Sequence, residues 1–202
     1  MRPRGLLSPS PLRVCVIGLG NPGPEYRDSR HNAGFRVLDS LAAALGLVFR
    51  RPFCHPYLRA PVRLSRGLGL LVKPLTYMNR SGRVLAPLGR GYSGLREGLI
   101  LVCDNCDLPP GALRIKRGGS SAGQKGLQSI IDSLGTPDFF RVYVGIGRPE
   151  ARGDLAAHVL SAPSGQERES LRAGEERAAA AVQALWEGEP DRVMGEYNRR
   201  QP

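Results

Sequence analysis

The sequence predicts a single α/β domain, a twisted mixed sheet, largely parallel, with helices on both faces and a helical carboxyl end. Three observations predict it. Short apolar runs, Leu12–Leu19, Leu99–Cys103 and Arg141–Gly147, read as strands buried on both faces. Stretches with helical periodicity separate them. The 202 residues, 41% of them hydrophobic, supply one core without metal or disulfide staples, and no linker divides the chain.

The elements follow in order. MRPRGLLSPSP, residues 1–11, is basic but lacks an apolar core long enough for a signal peptide, so it reads as a flexible tail before a domain spanning 12–202. Leu12–Leu19 is the first strand. NPGPEYRDSR is a loop, rich in Pro, Gly and Asn. Phe35, Leu38, Leu41, Ala42 and Leu45 then recur at helical spacing, with Asn32 as the expected cap and Gly46 as the stop. Strands are expected at Pro56–Arg63 and Leu68–Val72, and a helix from near Ser81. After the strand Leu99–Cys103, ALRIKR alternates like a strand with one wet face. GGSSAGQKG is a glycine-rich loop, GLQSIIDSLG a helix, and Arg141–Gly147 the last strand. A polar helix from about Ser164 to Trp186 and a short one near Pro190–Tyr197 close the chain. In a parallel sheet, ligands bind at the carboxyl ends of strands. The loops there, NPGPEY, KPLTYMN, CDNCDLPPG and GIGRP, hold Asn21, Tyr26, Tyr77, Asn79, Asp104, Asn105, Asp107 and Arg148.

A formal net charge of +11 points to a polyanionic partner. Lys73, Lys116 and Lys125 are the only lysines, so arginine carries the surplus. No run approaches the ~20 apolar residues of a membrane span, so no membrane partner is expected. Cys15, Cys54, Cys103 and Cys106 form no secreted disulfide pattern. The expected compartment is the cytoplasm, or an organelle if the source is eukaryotic.

Four motifs invite chemistry. Gly18, Gly20 and Gly23 match the dinucleotide spacing G-x-G-x-x-G. However, Pro22 and Pro24 delay the helix that should meet a pyrophosphate, and no acidic residue lies between Asp39 and Glu97 to hold a ribose. An NADP-type oxidoreductase is therefore a remote reading, resting on Arg50 and Arg51. Gly118–Gly126 lacks the Gly-Lys-Ser/Thr ending of a phosphate-binding loop. Cys103-x-x-Cys106 lacks two further ligands at metal spacing, so no metal and no cofactor are expected. His31 stands apart. It ends the loop after the first strand, with Asn21 on that loop, Asn79 on the second and Asp104 on the third. A carboxylate beside an imidazole favours a general base, and amides can bind an oxyanion. Such a set could hydrolyse an ester or amide with water as nucleophile.

GLGNPGPEYRDSRHNAGF, KPLTYMNRSG, DNCDLPPGALRIKRGG and RVYVGIGRP resemble, in the same order, the bacterial-type peptidyl-tRNA hydrolases. The resemblance runs from about Val14 to His158. It implies a monomer that cleaves the ester between a peptide and tRNA, recycling tRNA from ribosomal drop-off products, with no obligate protein partner. It implies His31 as general base, Asp104 as its supporting carboxylate, and Asn21 as the amide that helps tell blocked from free aminoacyl-tRNA. It places Tyr26, Tyr77 and Asn79 on the substrate, and Arg114 and Lys116 against the acceptor stem and CCA end. One loop departs from the family. Where the family carries His-Asn-Gly, this chain has Gln124-Lys125-Gly126, and a lysine cannot accept a hydrogen bond as an amide does. That departure keeps open an alternative, a catalytically impaired RNA-binding relative. Tyr143 stands where some members have arginine, with Arg141 and Arg148 nearby as candidates to replace it.

Overall fold

The computed structural model describes residues 10–65, 67–149 and 154–199. Among these residues, seven strands form one sheet: β1 Ser10–Gly18, β2 Tyr57–Leu64, β3 Gly67–Pro74, β4 Tyr92–Ser93, β5 Leu99–Asn105, β6 Leu113–Arg117 and β7 Phe140–Gly145. Their order is β2-β3-β1-β5-β7-β6, with β4 beside the start of β1. The β1–β3, β1–β4, β1–β5 and β5–β7 pairings are parallel; β2–β3 and β6–β7, at the two edges, are antiparallel. The expected mixed, largely parallel sheet is what the chain forms.

Among the described residues, six helices cover it: α1 Ala33–Ala44, α2 Leu85–Gly91, α3 Lys125–Leu134, α4 Leu155–Leu160, α5 Gly165–Glu187 and α6 Pro190–Tyr197. Alternation along the central strands sorts the core. Val14, Val16, Val102, Val142 and Val144 pack with Val37, Leu38 and Leu41 of α1 and Ala178 and Val182 of α5. Their neighbours Cys15, Ile17, Leu101, Cys103 and Tyr143 face the other way, onto Leu88 of α2 and Leu127 and Ile130 of α3. Strands buried on both faces need continuous apolar runs, which is why those runs were readable.

The differences from expectation have local causes. β1 starts at Ser10, because Ser10 and Pro11 pair with Tyr92 and Ser93. Only residues 1–9 of the expected tail remain, and they lie outside the described residues. The helix expected from Ser81 is preceded by a 3₁₀ segment, Met78–Val84, and becomes α-helical at Leu85. α4 was not foreseen.

Candidate active site

The carboxyl ends of β1, β3 and β5 meet beneath the loop from Leu19 to Asn32. Close backbone approach permits this. A Cβ on Gly34 would lie 2.4 Å from the Val102 carbonyl oxygen and 2.5 Å from the Leu19 nitrogen. Any side chain there would push the start of α1 off the strand ends. The loop itself is two 3₁₀ turns, Pro24–Tyr26 and Arg30–Asn32. Gly23 enters the first at φ 117°, a left-handed conformation that only glycine adopts readily. A dinucleotide turn would instead run straight into its helix.

His31 lies on the second turn, above the end of β5. Its Nδ1 is 2.8 Å from Oδ2 of Asp104. An ionised carboxylate only accepts, so the shared proton sits on Nδ1 and the lone pair on Nε2. The Asp104 side chain is 2% exposed and that of His31 14%, so the carboxylate is enclosed while the ring edge still reaches water.

Asn21 is buried and fully directed. Its Oδ1 accepts from the Met78 N–H at 2.7 Å. Its backbone N–H donates to Asn32 Oδ1 at 2.8 Å, and Asn32 Nδ2 donates back to the Asn21 carbonyl at 3.0 Å. Among the described residues, the Asn21 Nδ2 donor has no hydrogen-bond partner. This corrects the expectation for Asn32. It does occupy the cap position of the 3₁₀–α1 junction, but its side chain makes no cap bond and clamps Asn21 instead. Asx residues are read as caps because most are; nothing local in the sequence announces a partner eleven residues away.

Two side chains to which the sequence assigned no site role complete the frame. Gln124 Nε2 donates to Asp104 Oδ1 at 3.1 Å. Arg30, next to His31, is buried and forks onto Glu167 of α5, with 2.6 Å on both arms. Its third nitrogen donates to Ser161 Oγ at 2.6 Å and to the carbonyls of Ser161 and His158.

The remaining predicted residues surround this group without bonding to it. Tyr26 is half-buried on the first 3₁₀ turn. Tyr77 is 59% exposed, Asn79 is exposed beside it, and Lys125 is exposed at the first position of α3. Arg114 is exposed on the edge strand β6, and Lys116 is half-buried. The Lys116 ammonium lies beneath Gly119, where a glycine Cβ would meet its Nζ at 2.7 Å. Among the described residues, none of these six side chains hydrogen-bonds to His31, Asp104 or Asn21.

Of the suggested replacements for a basic residue at Tyr143, Arg141 does not reach the surface and Arg148 is exposed but paired. Arg141 is fully buried, donating to the carbonyls of Gly119, Ser120 and Pro137 and stacking 4.9 Å from the Phe139 ring. It braces the glycine-rich loop. Arg148 is engaged by Asp107 at 2.6 Å. Cysteine chemistry is also disfavoured. Burial pushes the Cys103 thiol well above its ordinary value and Cys106 up to about 11, so neither supplies a thiolate.

Comparison with known proteins gives a consistent result. Residues 15–202 match the family model described as "Peptidyl-tRNA hydrolase". A peptidyl-tRNA hydrolase of Moorella thermoacetica is 44% identical, covering 93% of this chain and 98% of its own. One of Mycobacterium tuberculosis is 45% identical over 86% of this chain and 91% of its own. Among solved structures, peptidyl-tRNA hydrolase from Acinetobacter baumannii superposes with a TM-score of 0.86 at 31% identity, covering 94% of this chain and 96% of its own. A peptidyl-tRNA hydrolase complexed with N-propanol superposes at 0.87 with 30% identity, over 95% and 98% of the two chains.

Proposed function

The chain belongs to the peptidyl-tRNA hydrolase family, and from that premise we propose how its residues divide the work. The activity is hydrolysis of the ester joining a peptide to tRNA. Water is the nucleophile. His31 Nε2 takes its proton as the oxygen attacks the peptidyl carbonyl, and the imidazolium that forms is stabilised by Asp104. The observation that carries this reading is the 2.8 Å contact between His31 Nδ1 and an enclosed Asp104 carboxylate. Positioned general-base catalysis contributes about 10²–10⁴ in rate. The free Nδ2 of Asn21 donates to the substrate beside the reacting carbonyl and reads its blocked amine. Tyr26, Tyr77 and Asn79 line the approach.

Lys125 sits at the amino end of α3, where it donates to a substrate carbonyl or pairs with a phosphate. Arg114 and Lys116 hold the phosphates of the acceptor stem, giving affinity without base sequence. The working form is a cytoplasmic monomer whose macromolecular ligand is peptidyl-tRNA. The base and its support are side chains, so hydrolysis is expected to persist after exhaustive chelation. Loss of activity on chelation, restored by a divalent ion, would contradict this.

The test compares N-blocked with free aminoacyl-tRNA. Release from the blocked substrate alone, abolished in His31→Ala, is the expected result. Tight tRNA binding without release would instead favour the RNA-binding alternative.

A further inference from the structure

We propose that Gln124 is a positioning residue for the Asp104 carboxylate and, through it, for the His31 imidazole, a role that rests on reading His31 as the base. Asp104 is held on both oxygens. Oδ2 faces His31 Nδ1 at 2.8 Å, and Oδ1 accepts from Gln124 Nε2 at 3.1 Å. One contact alone would leave the carboxylate free to turn about its terminal bond; two opposed contacts fix it.

The amide cannot turn either. Its Oε1 accepts from the Leu127 N–H at 2.6 Å, capping α3. Reversing the amide would set an oxygen against the carboxylate and an NH₂ against the Leu127 N–H, two repulsions in place of two bonds. The same NH₂ lies 3.6 Å from Met78 Sδ, and the Met78 backbone N–H holds Asn21. The cap of α3 thus reaches both the base and the substrate-reading amide.

A glutamine also does this without titrating. It donates to Asp104 at every pH, whereas a histidine in its place would change its charge between about pH 5 and 8. Among the described residues, the titratable and charged groups near Asp104 are His31, Cys103 and Cys106, with Arg141 beyond Cys103 and Arg148 and Asp107 beyond Cys106. Both thiols are held protonated by burial, so His31 is the group whose titration reports on the carboxylate.

The informative variant is Gln124→Glu. It keeps an acceptor for the Leu127 N–H, so the helix cap survives, but sets a second carboxylate against Asp104. The imidazolium form of His31 gains stability. Its titration, followed by imidazole ¹⁵N NMR, is expected to move to higher pH. The acid limb of kcat/KM for blocked aminoacyl-tRNA moves with it, and kcat at neutral pH falls about three- to hundredfold while KM holds. Gln124→His, which restores a donor, recovers most of the loss. Gln124→Met in an Asp104→Asn background costs no further rate, because the route runs through Asp104. An unmoved His31 titration in Gln124→Glu, or full multiplicativity of Gln124→Met with Asp104→Asn, would overturn the proposal. The NMR readout does not need turnover. If Gln124→Glu shows the shift but the wild-type protein shows no hydrolysis, the enzyme reading fails while the positioning of Asp104 and His31 by Gln124 stands.

Discussion

At the residue scale the site is a set of directed amides and one imidazole. Asn32 shows how much direction matters. Its two bonds to the Asn21 backbone are buried, and removing one partner of a buried bond costs about 1–3 kcal/mol. Asn32→Ala is therefore expected to destabilise the chain by that amount in urea melts. It also releases Asn21, so discrimination between blocked and free aminoacyl-tRNA falls while His31 keeps its partner. An Asn32→Ala chain with wild-type discrimination would show that the loop holds Asn21 by itself. Asp104→Asn tests the base differently. An amide can donate toward Nδ1, stabilising the tautomer with its proton on Nε2, and kcat is expected to drop about 10²–10⁴-fold with KM little changed. His31, Asp104 and Asn21 were legible because each is a reactive or amide side chain at the carboxyl end of a strand or on the loop after one. Gln124 and Asn32 were not. Their partners lie 20 and 11 residues away, and no local pattern encodes such a bond.

At the scale of elements, the turn that carries His31 and the helix α1 that follows it are tied to α5 by two ion pairs of opposite temperament. Arg30 meets Glu167 at 2.6 Å, and Arg36 meets Glu175 at 2.8 Å. The Arg30 hydrogen bond holds the Glu167 carboxyl below its usual value, whereas burial raises that of Glu175 despite Arg36. The signs follow. A lowered carboxyl stabilises the fold above the unfolded value and loses that contribution as pH falls through the folded one. A raised carboxyl does the reverse, favouring the fold at low pH and losing that as pH rises. Glu167→Gln is expected to cost about 1–2 kcal/mol at pH 7. The variant and wild type should converge in acid, below the lowered value. A constant gap from pH 7 down to pH 3 in denaturant melts would refute the assignment. Most elements themselves were readable from apolar periodicity. α4 was not, because it has no buried residue. Beside the partial packing of Val159, it is held by polar bonds: the Asp154 cap on Ala156, Arg30 on the His158 and Ser161 carbonyls, and His158 Nε2 on the carbonyls of Ile146 and Gly147. Hydrophobic patterning cannot register a helix of that kind.

For the whole molecule, the charge is unevenly placed. Residues 40–96 carry ten arginines and lysines and no acid, while residues 154–199 carry nine acids against five arginines. The first stretch supplies β2, β3 and α2; the second supplies α4, α5 and α6. The basic stretch thus lies along the β2 edge and the α2 face and the more acidic one supplies helices on the other face, with Arg114 and Lys116 on the far edge strand β6. With strands spaced about 4.8 Å apart, the β2 and β6 edges lie roughly 24 Å from one another, and His31 opens between them. A polyanion lying over such a surface releases counterions, so log K for tRNA should fall linearly with log[salt], by about 0.7–0.9 per phosphate neutralised. Replacing Arg114 and Lys116 together by glutamine should reduce that slope by about one to two and weaken all tRNAs alike, since phosphate contacts carry no sequence. Turnover of saturating substrate should hold, because neither side chain reaches His31. If the double variant keeps the wild-type slope, the acceptor stem does not lie on β6. The acid-free flank of residues 40–96 would then be the surface to neutralise next, with the same slope deciding between them.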